Sequence, residues 1–220
     1  MNTQGLIFNF LGDSITEGHS VADIAHNRYD NVVKELCALK EVRNYGIGGT
    51  RIAHQTRPSA NAWWDLNFCG RAERMEDGAD FIVVFGGTND YGTGDAPFGQ
   101  ITDTDRTTFC GAVRSLIEII KRRHPDAKIV FMAPARRLGD ETASQSVHRY
   151  VPGLPLRRYV EAVKDICKDY SVPVLDLYEK LGIDPNQEAD RSAFTSDGLH
   201  FNDAGHQRIA ACLRDFLAEL

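Results

Sequence analysis

The chain has 220 residues, 42% of them hydrophobic and 25% charged, which excludes a disordered polymer and suits one domain, 1–220, with one substantial core. Lys and Arg number 25 against 31 Asp and Glu, and the formal charge of -6 argues against nucleic acid or an anionic membrane as a partner. No apolar run reaches the roughly 18 residues of a membrane span, and the apolar N-terminal stretch has neither a basic start nor a small-residue cleavage site.

The five cysteines stand singly, with no C-x-x-C pair, which fits neither a disulfide framework nor a zinc site. Reduced thiols in a soluble, cytoplasmic protein are expected, with Cys37, Cys167 and Cys212 packed into the core from helical faces.

Residues 6–11 form the first strand expected along the chain, a run with β-branched and aromatic residues that is too short for a buried helix. It runs into Gly12-Asp13-Ser14-Ile15-Thr16-Glu17-Gly18. A serine at such a strand-to-helix turn can hold its Oγ exposed and offer its own N–H to an oxyanion. The same residues also read as an N-cap serine paired with Glu17. Tyr29, Val32, Val33 and Leu36 then follow helical spacing, and a second strand, 42–45, leads into Gly46-Ile47-Gly48-Gly49-Thr50. A third strand, 81–85, leads into Gly86-Gly87-Thr88-Asn89-Asp90. Paired glycines let a main-chain N–H approach a substrate, and an asparagine offers a neutral amide donor; turn glycines and an Asx turn are the alternatives.

Phe109, Val113, Leu116, Ile117 and Ile120 mark the next helix, which closes in Lys121-Arg122-Arg123-His124 before Pro125. Cations there complement the helix dipole, so the cluster is read as a helix end rather than a binding patch. A strand at 128–132, a helix after Pro155 (Leu156, Tyr159, Val160, Val163, Ile166) and a strand at 172–175 complete the alternation. The final helix is expected after Asn202, burying Ile209, Leu213, Phe216, Leu217 and Leu220. Several strands are apolar on successive residues, as in a parallel sheet covered on both faces. The expected fold is therefore α/β, an open doubly wound five-stranded parallel sheet between helix layers, with sites at the carboxyl ends of strands. The loops 48–70, 91–107 and 135–155 are long and polar enough to carry function.

Ahead of the final helix stands Asp197-Gly198-Leu199-His200. A carboxylate three residues from an imidazole can hold Nδ1–H and free Nε2 to accept a serine proton. Asp23/His26 and Asp203/His206 repeat the spacing and are read as surface or structural pairs. Neither a P-loop lysine nor a G-x-G-x-x-G run follows the first strand, which weighs against nucleotide binding.

Gly-Asp-Ser, the glycine pair, Gly-x-Asn-Asp and Asp-x-x-His, in this order, closely resemble the four sequence blocks of the SGNH hydrolases, the GDSL esterase and lipase superfamily. The resemblance implies a flavodoxin-like α/β/α sandwich. It also implies Ser14 as nucleophile, His200 as general base and acid, Asp197 as orienting carboxylate, and Ser14 N–H, Gly49 N–H and the Asn89 amide as oxyanion hole. No metal or cofactor is implied. Substrates in that superfamily range from lysophospholipids and thioesters to acetylated sugars. Polar loops and aromatic side chains near strand ends favour a small-acyl ester of a carbohydrate or other polar alcohol. The expected substrate contacts are Asp13, Tyr91, Trp63 and Trp64, although both tryptophans also read as loop packing. A lipid acyl hydrolase and a non-catalytic carbohydrate-binding module are the alternatives.

Overall fold

The computed structural model describes residues 2–144 and 153–220, so the middle of the expected 135–155 loop lies outside the described residues. Strands β1 (Ile7–Gly12), β2 (Glu41–Gly46), β3 (Phe81–Phe85), β4 (Lys128–Ala133) and β5 (Val174–Asp176) form one sheet. Its order is β2-β1-β3-β4-β5 and every pairing is parallel. In chain order the helices are α1 (Ser14–Glu17), α2 (Ile24–Asn27), α3 (Tyr29–Leu36), α4 (Phe68–Ala72), α5 (Thr88–Gly92), α6 (Phe109–Arg123), α7 (Leu156–Asp169), α8 (Leu177–Lys180), α9 (Glu188–Phe194) and α10 (Asp203–Glu219).

The unbroken apolar runs have a direct physical reading. Successive side chains of a strand point to opposite faces, and here both faces are covered. In β3, Phe81, Val83 and Phe85 enter one core with Tyr29 and Val33 of α3 and Ile209, Leu213 and Leu217 of α10. Ile82 and Val84 enter the other, with Phe68 of α4, Leu116 and Ile120 of α6, and Val163 of α7. The result is the three-layer α/β/α arrangement, with the strand order of a flavodoxin-like fold.

Side-chain caps fix the helix starts. Thr108 accepts the N–H of Gly111 at the head of α6, and Asn202 accepts that of Gly205 at the head of α10. α6 stops at Arg123, so its basic cluster is a helix terminus.

Several sequence expectations need correction. Leu36, the last residue of α3, and Leu220, which follows the end of α10, are each 46% exposed, and Phe216 is only half-buried. β5 begins at Val174 rather than 172, after Pro173, which has no N–H for a ladder bond. The 48–70 segment contains a 3-10 turn, Ala62–Asp65, and α4. Cys167 is buried, as are Cys69 and Cys110, but Cys37 and Cys212 are half-buried; all five are free thiols. Among the described residues no helix is long and apolar enough to cross a membrane.

The chain leaves β1 for β2 on one side and returns to β3 on the other. The carboxyl ends of β1 and β3 therefore flank the reversal of strand order, where open α/β sheets form their crevice.

Candidate active site

Ser14 begins α1 directly beyond β1. Asp13 is the N-cap: its Oδ1 accepts the N–H of Ile15 at 3.0 Å and sets the turn that presents the serine. The turn lies tightly on the neighbouring strand, since a Cβ added to Gly46 would stand 2.1 Å from the Glu17 nitrogen. Only glycine allows that approach. Ser14 Oγ then lies 3.0 Å from His200 Nε2.

His200 comes from the loop between α9 and α10, which an antiparallel bridge between Thr195 and Phe201 pinches closed. Within it, Asp197 Oδ1 accepts the N–H groups of Leu199 at 2.9 Å and His200 at 2.8 Å. Its Oδ2 lies 2.7 Å from His200 Nδ1. Partial burial pushes the Asp197 carboxyl up, but the hydrogen bonds from His200 and Leu199 outweigh it and hold the group below its ordinary range. An ionised Asp197 accepts a hydrogen bond from Nδ1–H, which keeps that proton on Nδ1 and leaves Nε2 as the acceptor facing Ser14. The ring of His19 packs beside His200, with centroids 4.3 Å apart.

Opposite this couple lies the turn after β2. Gly49 has φ +74°, a left-handed conformation, and a Cβ there would sit 2.2 Å from the Trp64 indole. Glycine is required on both counts. The Gly48 N–H is already donated to Glu17 Oε2 at 3.0 Å, whereas the N–H groups of Gly49 and Ser14 have no acceptor among the described residues. Asn89, from α5 beyond β3, donates one amide hydrogen to the Thr50 carbonyl at 3.0 Å and has a second to give. Asp90 accepts the N–H groups of Ile52 and Ala53, both at 2.9 Å, pinning the segment that follows Gly49.

A cavity of about 310 Å³ opens above these groups. Ser14, His200, Gly49 and Asn89 line it together with Glu17, His19, Gly48, Thr93, Trp64 and Leu199. The structure thus gathers Ser14, Gly49, Asn89 and the Asp197–His200 pair from four separate segments, and Trp64 joins them as a wall.

The other expected contacts are elsewhere. Asp13 is 1% exposed beneath the serine turn, held by its capping bond. Burial pushes its carboxyl up to about 7, against the Ile15 N–H and the charges of Arg71 and Arg137. Tyr91 is 3% exposed, with its hydroxyl donated to the carbonyls of Gly139 and Thr142. Trp63 is 66% exposed and outside the cavity lining, because the 3-10 turn directs the two adjacent indoles apart.

The sequence model of the GDSL-like lipase/acylhydrolase family matches residues 10–208. The chain belongs to that family. Solved structures agree in fold. A Lactobacillus plantarum protein is 31% identical, with TM-score 0.82 and coverage of 98% of each chain. A Chitinophaga pinensis protein described as a possible lipase is 24% identical, with TM-score 0.69 over 97% of this chain and 98% of its own. An Enterococcus faecalis lipase/acylhydrolase is 18% identical, with TM-score 0.61 over 97% and 96%. No significant match is found among curated proteins.

In this GDSL hydrolase some site residues carry no sequence signal. Arg71 of α4 donates to the Gly12 carbonyl at 3.0 Å, the Tyr45 carbonyl at 2.5 Å and Thr50 Oγ1 at 2.8 Å. One half-buried arginine thereby ties the ends of β1 and β2 to the turn that carries Gly49. Nothing around Arg71 distinguishes it from other loop arginines. His19 was likewise invisible, since its role depends on a ring nearly two hundred residues away. Asp90 was legible only as part of Gly-x-Asn-Asp, and its task of pinning the 50–53 segment emerges from the fold.

Proposed function

We propose that this GDSL hydrolase is a serine esterase that cleaves small-acyl esters, acetyl among them, of a carbohydrate or other polar alcohol. Ser14 Oγ attacks the ester carbonyl while His200 Nε2 takes its proton and Asp197 steadies the imidazolium. The oxyanion is met by the N–H groups of Ser14 and Gly49 and by the Asn89 amide. His200 then returns the proton to the leaving alcohol. A water, deprotonated by the same imidazole, attacks the acyl-enzyme, and the acid leaves with Ser14 restored.

The Ser14–His200–Asp197 chain of contacts at 3.0 and 2.7 Å carries the esterase reading. A pure carbohydrate-binding module would need no such relay. The cavity supports the small-acyl part: it measures about 310 Å³, and Trp64 and Leu199 are the large apolar side chains in its lining, too few to line a long acyl chain. The family description and neighbours described as lipases keep a long-chain lipid ester as the second reading.

A series of 4-nitrophenyl esters from acetyl to octanoyl separates the two. Each CH₂ that enters an apolar site contributes about 0.8 kcal/mol, so a lipid site gives kcat/KM rising steeply with length. The small-acyl reading predicts a maximum at acetyl or propionyl followed by a fall. A monotonic rise through octanoyl would contradict it and leave the roles of Ser14 and His200 intact.

A further inference from the structure

A second, smaller cavity of about 60 Å³ lies in the loop after β2, and Trp64 and Thr93 line both it and the cavity over Ser14. Its polar wall is formed by Arg51, Gln55, Arg57, Ser59 and Asp95. This wall is built rather than incidental. Arg51 is 3% exposed, an uncommon burial for a guanidinium. It donates to Ser59 Oγ at 2.7 Å and to the Thr93 carbonyl at 3.0 Å, and its Nε has no acceptor among the described residues. Gln55 donates to the Ala53 carbonyl and accepts the Asp95 N–H, both within 2.9 Å.

The charge pattern decides what such a wall can recognise. Asp65 lies 3.9 Å from Arg51, and the charges of Asp90 and Asp95 also act on it. The two guanidinium groups of the wall, Arg51 and Arg57, thus face Asp95 in the lining and Asp65 and Asp90 behind it, a mixed set of charges rather than the uncompensated positive field that a carboxylate or phosphate would favour. Donors and acceptors instead stand side by side, as adjacent hydroxyl groups require. The Trp64 indole adds an apolar partition between the cavities. It is wedged against Gly49 on one side and lies 5.8 Å from the Arg51 guanidinium on the other, so little freedom is lost when a ligand meets it.

We infer that this cavity is a subsite for hydroxyl groups of a neutral saccharide whose ester group lies over Ser14, with Trp64 between the two. The inference rests on the proposed esterase function and names the alcohol that the site selects. At this volume the subsite takes a few water-sized groups, such as the hydroxyls along one edge of a sugar ring.

The test compares mono-O-acetylated xylobiose with phenyl acetate, which has no hydroxyls to offer. Arg57→Ala removes a donor at an exposed position, and Ala60→Phe fills the mouth of the cavity from another exposed position without deleting a hydrogen bond. In each variant the ratio of kcat/KM for the saccharide to kcat/KM for phenyl acetate is expected to fall about tenfold, the scale of one or two lost hydrogen bonds. A wild-type ratio in both variants would overturn the subsite. Turnover of phenyl acetate by the wild type, with none of the acetylated saccharide, would overturn the carbohydrate reading itself and the subsite with it.

Discussion

Asp23–His26 and Asp197–His200 are the same local device at opposite ends of the chain. In each, the aspartate accepts the backbone N–H of the histidine three residues on, and its other oxygen lies 2.8 Å or 2.7 Å, respectively, from Nδ1. They part at the far nitrogen. His200 Nε2 meets Ser14 Oγ, whereas the His26 side chain is 81% exposed. The third pair, Asp203 and His206, does not form the couple at all. Asp203 accepts from Ala22 and Asn27, while His206 is fully buried and accepts the Tyr29 N–H at Nδ1. A D-x-x-H spacing therefore offers a carboxylate–imidazole couple and nothing more. Its use is set by what the fold brings to the other ring nitrogen.

This contrast can be broken by mutation. The largest effect is expected for His200→Ala, with kcat/KM for phenyl acetate falling about 10³-fold or more, since the loss of the base disables the whole relay. His206→Ala should act on stability instead, costing about 2–4 kcal/mol at pH 7 by emptying a buried site and orphaning the Tyr29 N–H, while the folded variant keeps kcat within a few-fold. That difference should itself depend on pH. Burial lowers His206 from 6.5 to about 4, so the native state binds fewer protons than the unfolded chain across that interval. The contribution is complete above pH 6.5 and lost as pH falls through about 4, a change of about 3 kcal/mol. Asp13, raised to about 7, acts in the opposite sense, its contribution being lost as pH rises from 3.8 through 7. The wild-type minus variant difference, from urea unfolding at pH 7.5, 5.5 and 4, cancels Asp13 and isolates His206. A gap independent of pH would contradict this account. His26→Ala should change neither kcat/KM by more than about twofold nor stability by more than about 0.5 kcal/mol.

What was legible in the sequence follows the same division between local and long-range causes. The central strands β1, β3 and β4 announce themselves because burial on two faces demands consecutive apolar residues. β2, at the sheet edge and half-buried along its length, gave only a partial signal. Helices α3, α6, α7 and α10 are long enough to show a period. α2 and α8 are single turns begun by the aspartate caps Asp23 and Asp176, too short for any periodicity to register. In the site, Ser14, Gly49, Asn89, Asp197 and His200 were legible because each sits in a compact sequence block after a strand or before a helix. Arg71 was not, because its value comes from three acceptors on two strand ends and a turn. The aromatic residues misled for a related reason: Trp63 and Trp64 are neighbours in sequence, but only Trp64 reaches the cavity, and Tyr91 is turned into the core beside Tyr159.

The central claim is that Ser14 is the nucleophile and that His200 activates it. Incubation with diisopropyl fluorophosphate, followed by peptide mass spectrometry, tests it directly, because the reagent is trapped by an activated serine. The account predicts one adduct, on Ser14, appearing in step with loss of esterase activity, and no adduct in His200→Ala after the same exposure. An adduct on a different serine accompanying the loss of activity, or equal labelling of Ser14 without His200, would contradict it.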